Sequence, residues 1–115
     1  MSKYEELPVY KAALDLAVYF EKTVRHYERY NKYTLGADFR KLSLRICVLL
    51  AKANIKETRQ VYLEEALNKL LELKIIIHIA NGAKVFRSFK NFEFVVKSVS
   101  EIARQCEGWK KASIS

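Results

Sequence analysis

The residues of this chain best suited to chemistry are cations that follow one side of a helical segment. They form the basic row, which consists of Arg40, Lys41, Arg45, Lys52, Lys56 and Arg59. On a helical wheel, Lys41, Arg45, Lys52 and Lys56 fall within about 60° of one another. Positions 39–56 hold five basic residues and no acidic one. Because a linear array of cations can contact several phosphates, we predict that the basic row binds a polyanion.

The basic row also has a second interpretation, as a solvated helix face. Its cations would then pair with carboxylates of the next helical segment, at Glu64, Glu65 and Glu72. Exposed ion pairs of this kind add little to stability and imply no ligand. The sequence leaves both interpretations open.

A second candidate is the segment 25–33, in which cations alternate with aromatic residues. Arg25 and Arg29 suit phosphate contacts, and the neighbouring tyrosines suit stacking on bases. The alternative is that the tyrosines pack their rings and leave only the hydroxyl groups in water. Both interpretations remain open from the sequence.

Catalytic groups are scarce in this chain. The two histidines, His26 and His78, lie in different segments and form no metal-binding motif. His78 follows three isoleucines, so we expect it to be packed rather than exposed. The three glycines are isolated and form no phosphate-binding loop. We therefore predict that the chain is not an enzyme and that it uses no metal ion and no cofactor.

The charge balance narrows the class of partner. The chain has 21 Lys and Arg against 13 Asp and Glu, a net charge of +8, which favours RNA or DNA. No apolar run approaches the roughly 20 residues that span a membrane, and no signal peptide is evident. Cys47 and Cys106 occupy apolar helix positions, as buried thiols do in a reducing compartment. We predict a cytoplasmic protein without a membrane partner.

The elements that position these residues are predicted to be helices. Three glycines and one proline are too few for the turns of an all-β fold. Apolar residues recur at spacings of three and four in the segments 8–30, 35–55, 58–80 and 88–110. Pro8 suits a first helical turn, Ser88 an N-cap, and Asn81-Gly82 a helix end. We predict one all-α domain over residues 1–115, an up-down-up-down four-helix bundle.

The second predicted helix has more apolar surface than such a bundle needs. Besides its inward stripe, it carries a second stripe formed by Leu44, Val48, Ala51 and Ile55. A helix that is apolar on two sides is buried on two sides. Since a four-helix bundle buries one side of each helix, we predict that the second stripe is a homo-oligomer interface.

Four short motifs resemble one protein family. Residues 7–12 (LPVYKA) and 53–57 (ANIKE) resemble segments of the four-helix-bundle proteins encoded in intervening sequences of ribosomal RNA genes. Residues 33–36 (YTLG) and 102–110 (IARQCEGWK) are more similar to a sister branch of that family. That branch is the accessory variability determinant (Avd) of diversity-generating retroelements.

The resemblance implies a homopentameric barrel of four-helix bundles with a basic surface. It also implies binding to the template RNA and the reverse transcriptase of a retroelement, in support of mutagenic cDNA synthesis. The reverse transcriptase would supply the chemistry. Two alternatives remain: a ribosomal-RNA intervening-sequence protein, and a scaffold protein whose basic charge is incidental.

Overall fold

The apolar residues that recur at spacings of three and four line the inner sides of four long helices. The computed structural model describes residues 3–113, and over that range the chain is helical without strands. The helices are α1 (Pro8–Val24), α2 (Arg29–Tyr33), α3 (Leu35–Lys52), α4 (Arg59–Gly82) and α5 (Phe89–Ala112). Short 3-10 turns lie at Tyr4–Glu6 and Lys56–Thr58. The predicted all-α class is confirmed.

The four long helices pack together around one apolar core. Both α1 and α4 pack against α3 and α5, so α1 and α4 occupy diagonal positions. In the core, the ring centre of Phe39 lies 4.8 Å from that of Phe20 and 5.9 Å from that of Phe86. Full burial of a side chain such as Phe20 contributes about 1.5–3 kcal/mol. The molecule measures 45 × 21 × 20 Å. Each long helix has exposed residues on the side opposite its buried ones.

The first helix is shorter than predicted, because Gly36 of α3 packs directly against its end. α1 ends at Val24 rather than at residue 30. A Cβ at position 36 would lie 2.6 Å from Val24 Cγ1 and 2.9 Å from the Asn31 carbonyl oxygen. The chain turns after Val24, and α2 follows as a separate short helix. Tyr27, which the spacing assigns to the first helix, lies in this turn with its ring half-buried against the core.

The helix that carries the basic row also ends before the predicted position 55. Arg59 Nε donates a hydrogen bond to the carbonyl oxygen of Ala53 at 2.8 Å, and Arg59 Nη2 donates one to that of Asn54 at 3.0 Å. A side chain that binds the last carbonyl groups of a helix replaces the bonds of a further turn. Ile55 and Lys56 therefore lie in the connection to α4 and not on α3.

The residue that stops α4 also differs from the prediction. Gly82 remains helical, and the left-handed conformation falls on Lys84, whose φ is 60°. The N–H of Val85 bonds to the Ala80 carbonyl oxygen at 2.9 Å, and that of Lys84 bonds to Asn81 at 3.1 Å. This pair of bonds is the Schellman arrangement that closes many helices. Val85 is buried in the core. Its position there determines that Lys84, and not Gly82, adopts the left-handed conformation.

Ser88 caps α5 as predicted, because its Oγ accepts a hydrogen bond from the Asn91 N–H at 3.2 Å. Cys47 and Cys106 are buried free thiols, also as predicted. Among residues 3–113, no helix combines the length and the apolar character needed to cross a membrane.

Candidate nucleic-acid interface

The central part of the basic row lies on the solvent side of α3. Lys41, Arg45 and Lys52 are exposed there, and Lys56 is exposed in the turn that follows. Lys52 Nζ lies 5.5 Å from the centre of the Tyr62 ring. Within the described residues, none of these four cations forms an ion pair with a carboxylate. Their charges are therefore available to a ligand.

The carboxylates expected to neutralise the row do not do so. Glu72 Oε2 lies 3.6 Å from Lys69 Nζ on its own helix. Glu64 and Glu65 are exposed, and neither forms an ion pair with another residue in the range 3–113. The second interpretation of the basic row, as cations paired across to α4, is therefore not observed.

The two ends of the basic row have partners inside the molecule. Arg40 Nε lies 2.7 Å from Glu21 Oε2, and this carboxylate raises the pKa of Arg40. Both side chains are more than half exposed, so water screens the pair and a phosphate can compete for the guanidinium. Arg59 is half-buried, bonds to the end of α3, and places its guanidinium carbon 4.9 Å from the centre of the Trp109 ring. The structure thus gives Arg59 a role within the fold and separates it from the exposed cations.

Beside the exposed cations, α1 and α3 enclose an apolar groove of about 710 Å³, here the α1–α3 groove. Its apolar wall consists of Leu14 and Val18 from α1 and Leu44, Val48 and Ala51 from α3. Leu44 is 63% exposed. Lys41 and Lys52 also line it, so apolar and cationic side chains share one surface. Three of the four residues of the predicted second stripe lie together in this groove, and Ile55 lies outside it.

Sequence reasoning missed a second exposed apolar surface, on α4. Leu71, Ile75 and Ile79, here the α4 ridge, are 60%, 53% and 56% exposed. They follow one another at a spacing of four on the side of α4 that faces away from its buried residues. The available signal was that spacing of four. This spacing is easily overlooked, because apolar residues occur on nearly every side of α4. The buried stripe is by itself enough to predict a helix.

The segment 25–33 divides into a residue that packs and residues that do not. The ring of Tyr27 is half-buried, and burial raises its pKa to about 12. Tyr30 and Tyr33 of α2 are instead 76% and 69% exposed, and Arg25 and Arg29 are exposed in the same segment. The packing interpretation therefore applies to Tyr27, while the other two tyrosines are free to contact a ligand.

The histidines and cysteines take different positions. His78 is exposed, with its ring centre 5.6 Å from that of Phe92, so the expectation that it is packed is wrong. No group of three or more metal-ligating side chains occurs among residues 3–113. Burial raises the pKa of Cys47 to about 11 and that of Cys106 to about 12. Both thiols are therefore protonated near neutral pH.

These surfaces suit two kinds of contact: the cations of α3 suit phosphates, and the α1–α3 groove and α4 ridge suit another helical surface. Comparisons of the chain with protein-family models, with characterised proteins and with solved structures give no match. What the chain binds is therefore inferred from its own side chains and motifs.

Proposed function

We propose that this protein is a non-catalytic, nucleic-acid-binding accessory protein built as an up-down-up-down four-helix bundle. The observation that carries the proposal is the row of exposed cations on α3, for which no carboxylate among the described residues is a partner. From Lys41 to Lys52 the row is about 16 Å long, at the helical rise of about 1.5 Å per residue. That length allows contact with several successive phosphates of RNA, or of DNA.

The motif resemblance supports a narrower role for this accessory protein. The bundle binds the template RNA and the reverse transcriptase of a diversity-generating retroelement and supports mutagenic cDNA synthesis. The packing of Gly36 against Val24 gives the 33–36 motif a physical reason to end in glycine. If a reverse transcriptase gene with template and variable repeats adjoins the gene, this role is supported. A ribosomal RNA gene at that position favours the intervening-sequence alternative instead.

The two exposed apolar surfaces support assembly into a homo-oligomer. Soluble monomers rarely expose contiguous apolar patches, and such patches mark interfaces. The α4 ridge of one copy fits the α1–α3 groove of the next by chemistry, because both are aliphatic. Five copies are implied by the resemblance alone. In the assembly, the cations beside the groove of each copy form a larger basic surface.

The experiment that tests the proposal is RNA binding by the full chain as a function of salt. Neutralisation of Z phosphates gives a slope of log K against log[salt] of about −0.7Z to −0.9Z. The triple variant Lys41→Glu, Arg45→Glu, Lys52→Glu is expected to lose binding while it keeps its helical circular dichroism. A flat salt dependence of the wild type contradicts the proposal and favours a scaffold protein.

A matched control separates the α3 surface from net charge. The triple variant Lys97→Glu, Arg104→Glu, Lys111→Glu makes the same change in charge on α5, where Lys97 and Arg104 already have carboxylate partners. It is expected to keep most of its RNA affinity. An equal loss in both triple variants would mean that total charge, and not the cations of α3, drives binding.

A further inference from the structure

α2 carries two aromatic rings into solvent at one end of the bundle. Tyr30 and Tyr33 are the most exposed large apolar side chains among residues 3–113, at 76% and 69%. Their separation of three positions places them on the same side of α2, and on the helical wheel Arg29 lies next to Tyr33. Exposed rings beside a cation form a surface on which planar groups can stack.

On one flank of α2 lies a hollow of about 480 Å³ between α1, α2 and the start of α3. Its cations come from three helices and from the turn after α1: Lys22, Arg25, Lys32 and Arg40. The one carboxylate that lines it is Glu21, which pairs with Arg40. Lys22 and Arg25 also offset the partial negative charge at the end of α1. That effect does not account for Lys32 of α2, which lines the same hollow.

A second hollow, of about 440 Å³, lies between the α1–α2 turn and the α4–α5 connection. Lys84 and Arg87 supply its cations, and Glu28 is its carboxylate. Arg87 Nη2 donates a hydrogen bond to the His26 carbonyl oxygen at 3.1 Å, which holds the two connections together. Because Asn31 lines this hollow and Lys32 the other, α2 and its exposed tyrosines lie between two cationic depressions.

We propose that this end of the bundle binds single-stranded nucleic acid, with bases stacked on Tyr30 and Tyr33 and phosphates in the two hollows. The inference rests on the proposed nucleic-acid binding and adds a strand preference at a second surface. In a duplex the faces of the bases are covered by their neighbours, whereas an unpaired strand offers them to aromatic side chains. The cations of α3 contact phosphates, which both forms present.

The test is fluorescence anisotropy with the full chain and an unstructured RNA of about 12 nucleotides, a length within known single-strand site sizes. The same RNA annealed to its complement serves as the duplex probe, and a DNA strand of the same sequence tests for the 2′-hydroxyl. The variant Tyr30→Ala, Tyr33→Ala is expected to lose at least about tenfold in affinity for the single strand. Its affinity for the duplex is expected to stay within about twofold of wild type.

The variant Tyr30→Phe, Tyr33→Phe is the matched control, because it keeps both rings and removes only the hydroxyl groups. It is expected to bind the single strand as wild type does. Unchanged single-strand affinity in the alanine variant overturns the inference, as does an equal loss on single strand and duplex. A loss in the phenylalanine variant as large as in the alanine variant overturns the stacking.

The hollows have a separate readout in the salt dependence. The variant Lys22→Gln, Lys32→Gln removes two cations of one hollow and is expected to make the single-strand salt slope shallower by about 1–2. An unchanged slope would mean that this hollow does not bind phosphate, and would overturn its part in the inference. If the wild type binds neither probe, the proposed function itself fails. If it binds both through the α3 cations and the tyrosine variants change nothing, only the present inference fails.

Discussion

The guanidinium carbon of Arg59, the first residue of α4, lies 4.9 Å from the centre of the Trp109 ring near the end of α5. The same guanidinium bonds to the carbonyl oxygens of Ala53 and Asn54 after α3. One side chain thus ties together three helix ends. Next to it, Gln60 Nε2 donates a hydrogen bond to the Lys110 carbonyl oxygen at 3.0 Å.

Arg59→Ala is therefore expected to destabilise the fold, because two carbonyl groups lose their charged donor. We expect a loss of about 1–3 kcal/mol in the free energy of unfolding, measured by urea denaturation. Arg45→Ala, which removes an exposed arginine without an ion pair in the described residues, is expected to change it by less than about 0.5 kcal/mol. Equal effects of the two substitutions would contradict the structural role of Arg59.

Gly36→Ala is expected to destabilise the protein by about 1–3 kcal/mol, because the added methyl overpacks the contact with α1. One of the two clashing atoms, the Asn31 carbonyl oxygen, is backbone and cannot rotate away. The matched control is Gly108→Ala in α5, where a Cβ meets nothing within 4 Å. There, alanine is expected to stabilise the helix by about 0.5–1 kcal/mol. Thermal unfolding of both variants measures these effects. A Gly36→Ala variant that melts at or above the wild-type temperature would contradict this packing.

Lys84→Gly is expected to raise the free energy of unfolding by up to about 1 kcal/mol, because glycine adopts the left-handed conformation without steric cost. Lys84→Ala removes the same charge but keeps the strain, so its stability is expected to match the wild type. Both variants are expected to bind the single-stranded RNA more weakly if the second hollow contacts phosphate. A glycine variant no more stable than the alanine variant would contradict the strain.

The free energy of unfolding is expected to fall in alkali because of two buried thiols and one half-buried tyrosine. Burial raises the pKa of Cys47 to about 11 from an ordinary 9.0, and those of Cys106 and Tyr27 to about 12 from 9.0 and 10.0. As the pH rises, these three groups lose their protons in the unfolded chain at a lower pH than in the folded protein. The contribution of the three groups to stability is therefore complete below about pH 9 and declines as the pH rises towards 11–12. Denaturation midpoints at about pH 8 and pH 10.5 measure the decline.

Tyr27→Phe isolates one of these groups, because it keeps the ring and removes the ionisable hydroxyl. Its loss of stability between the two pH values is expected to be smaller than that of wild type. The loss of stability is measured in each protein relative to its own stability at the lower pH. Any effect of the substitution that does not depend on pH therefore cancels. An identical decline in both proteins would mean that Tyr27 ionises as readily in the fold as in the unfolded chain.

Val48→Asp and Ala51→Asp are expected to dissociate the proposed oligomer, because each places a charge in the α1–α3 groove that a second copy would bury. Ile75→Asp on the α4 ridge is expected to do the same from the other side of the contact. Ser100→Asp, at an exposed position of α5, is the control and should leave the assembly intact. Light scattering gives the mass directly, and a monomeric wild type would refute this assembly.

The sequence predicts the helices well and their ends poorly, for a physical reason. Spacings of three and four are a local property, so the inward stripes follow from the sequence. The ends are set by tertiary contacts: Gly36 against the end of α1, and the Arg59 side chain at the end of α3. The position of Val85 in the core likewise moves the left-handed residue from Gly82 to Lys84.

In the candidate site, too, the features within one helix follow from the sequence, and the contacts between distant segments do not. The wheel places Lys41, Arg45 and Lys52 together because they share one helix. It does not reveal that Arg40 pairs with Glu21 or that Arg59 stacks on Trp109, since both partners lie far along the chain. The hollows beside α2 were also beyond the sequence, because their cations come from segments that only the packed fold brings together.

In the proposed assembly, the α1–α3 groove and the α4 ridge belong to different sides of the molecule. A copy that offers its ridge still has an empty groove, so the contact cannot be a two-fold one that satisfies both partners at once. Further copies then add until the rotation between neighbouring copies brings the α4 ridge of the last copy into the α1–α3 groove of the first. The angle between ridge and groove sets the stoichiometry, and a substitution that tilts α4 would convert a closed ring into an open filament.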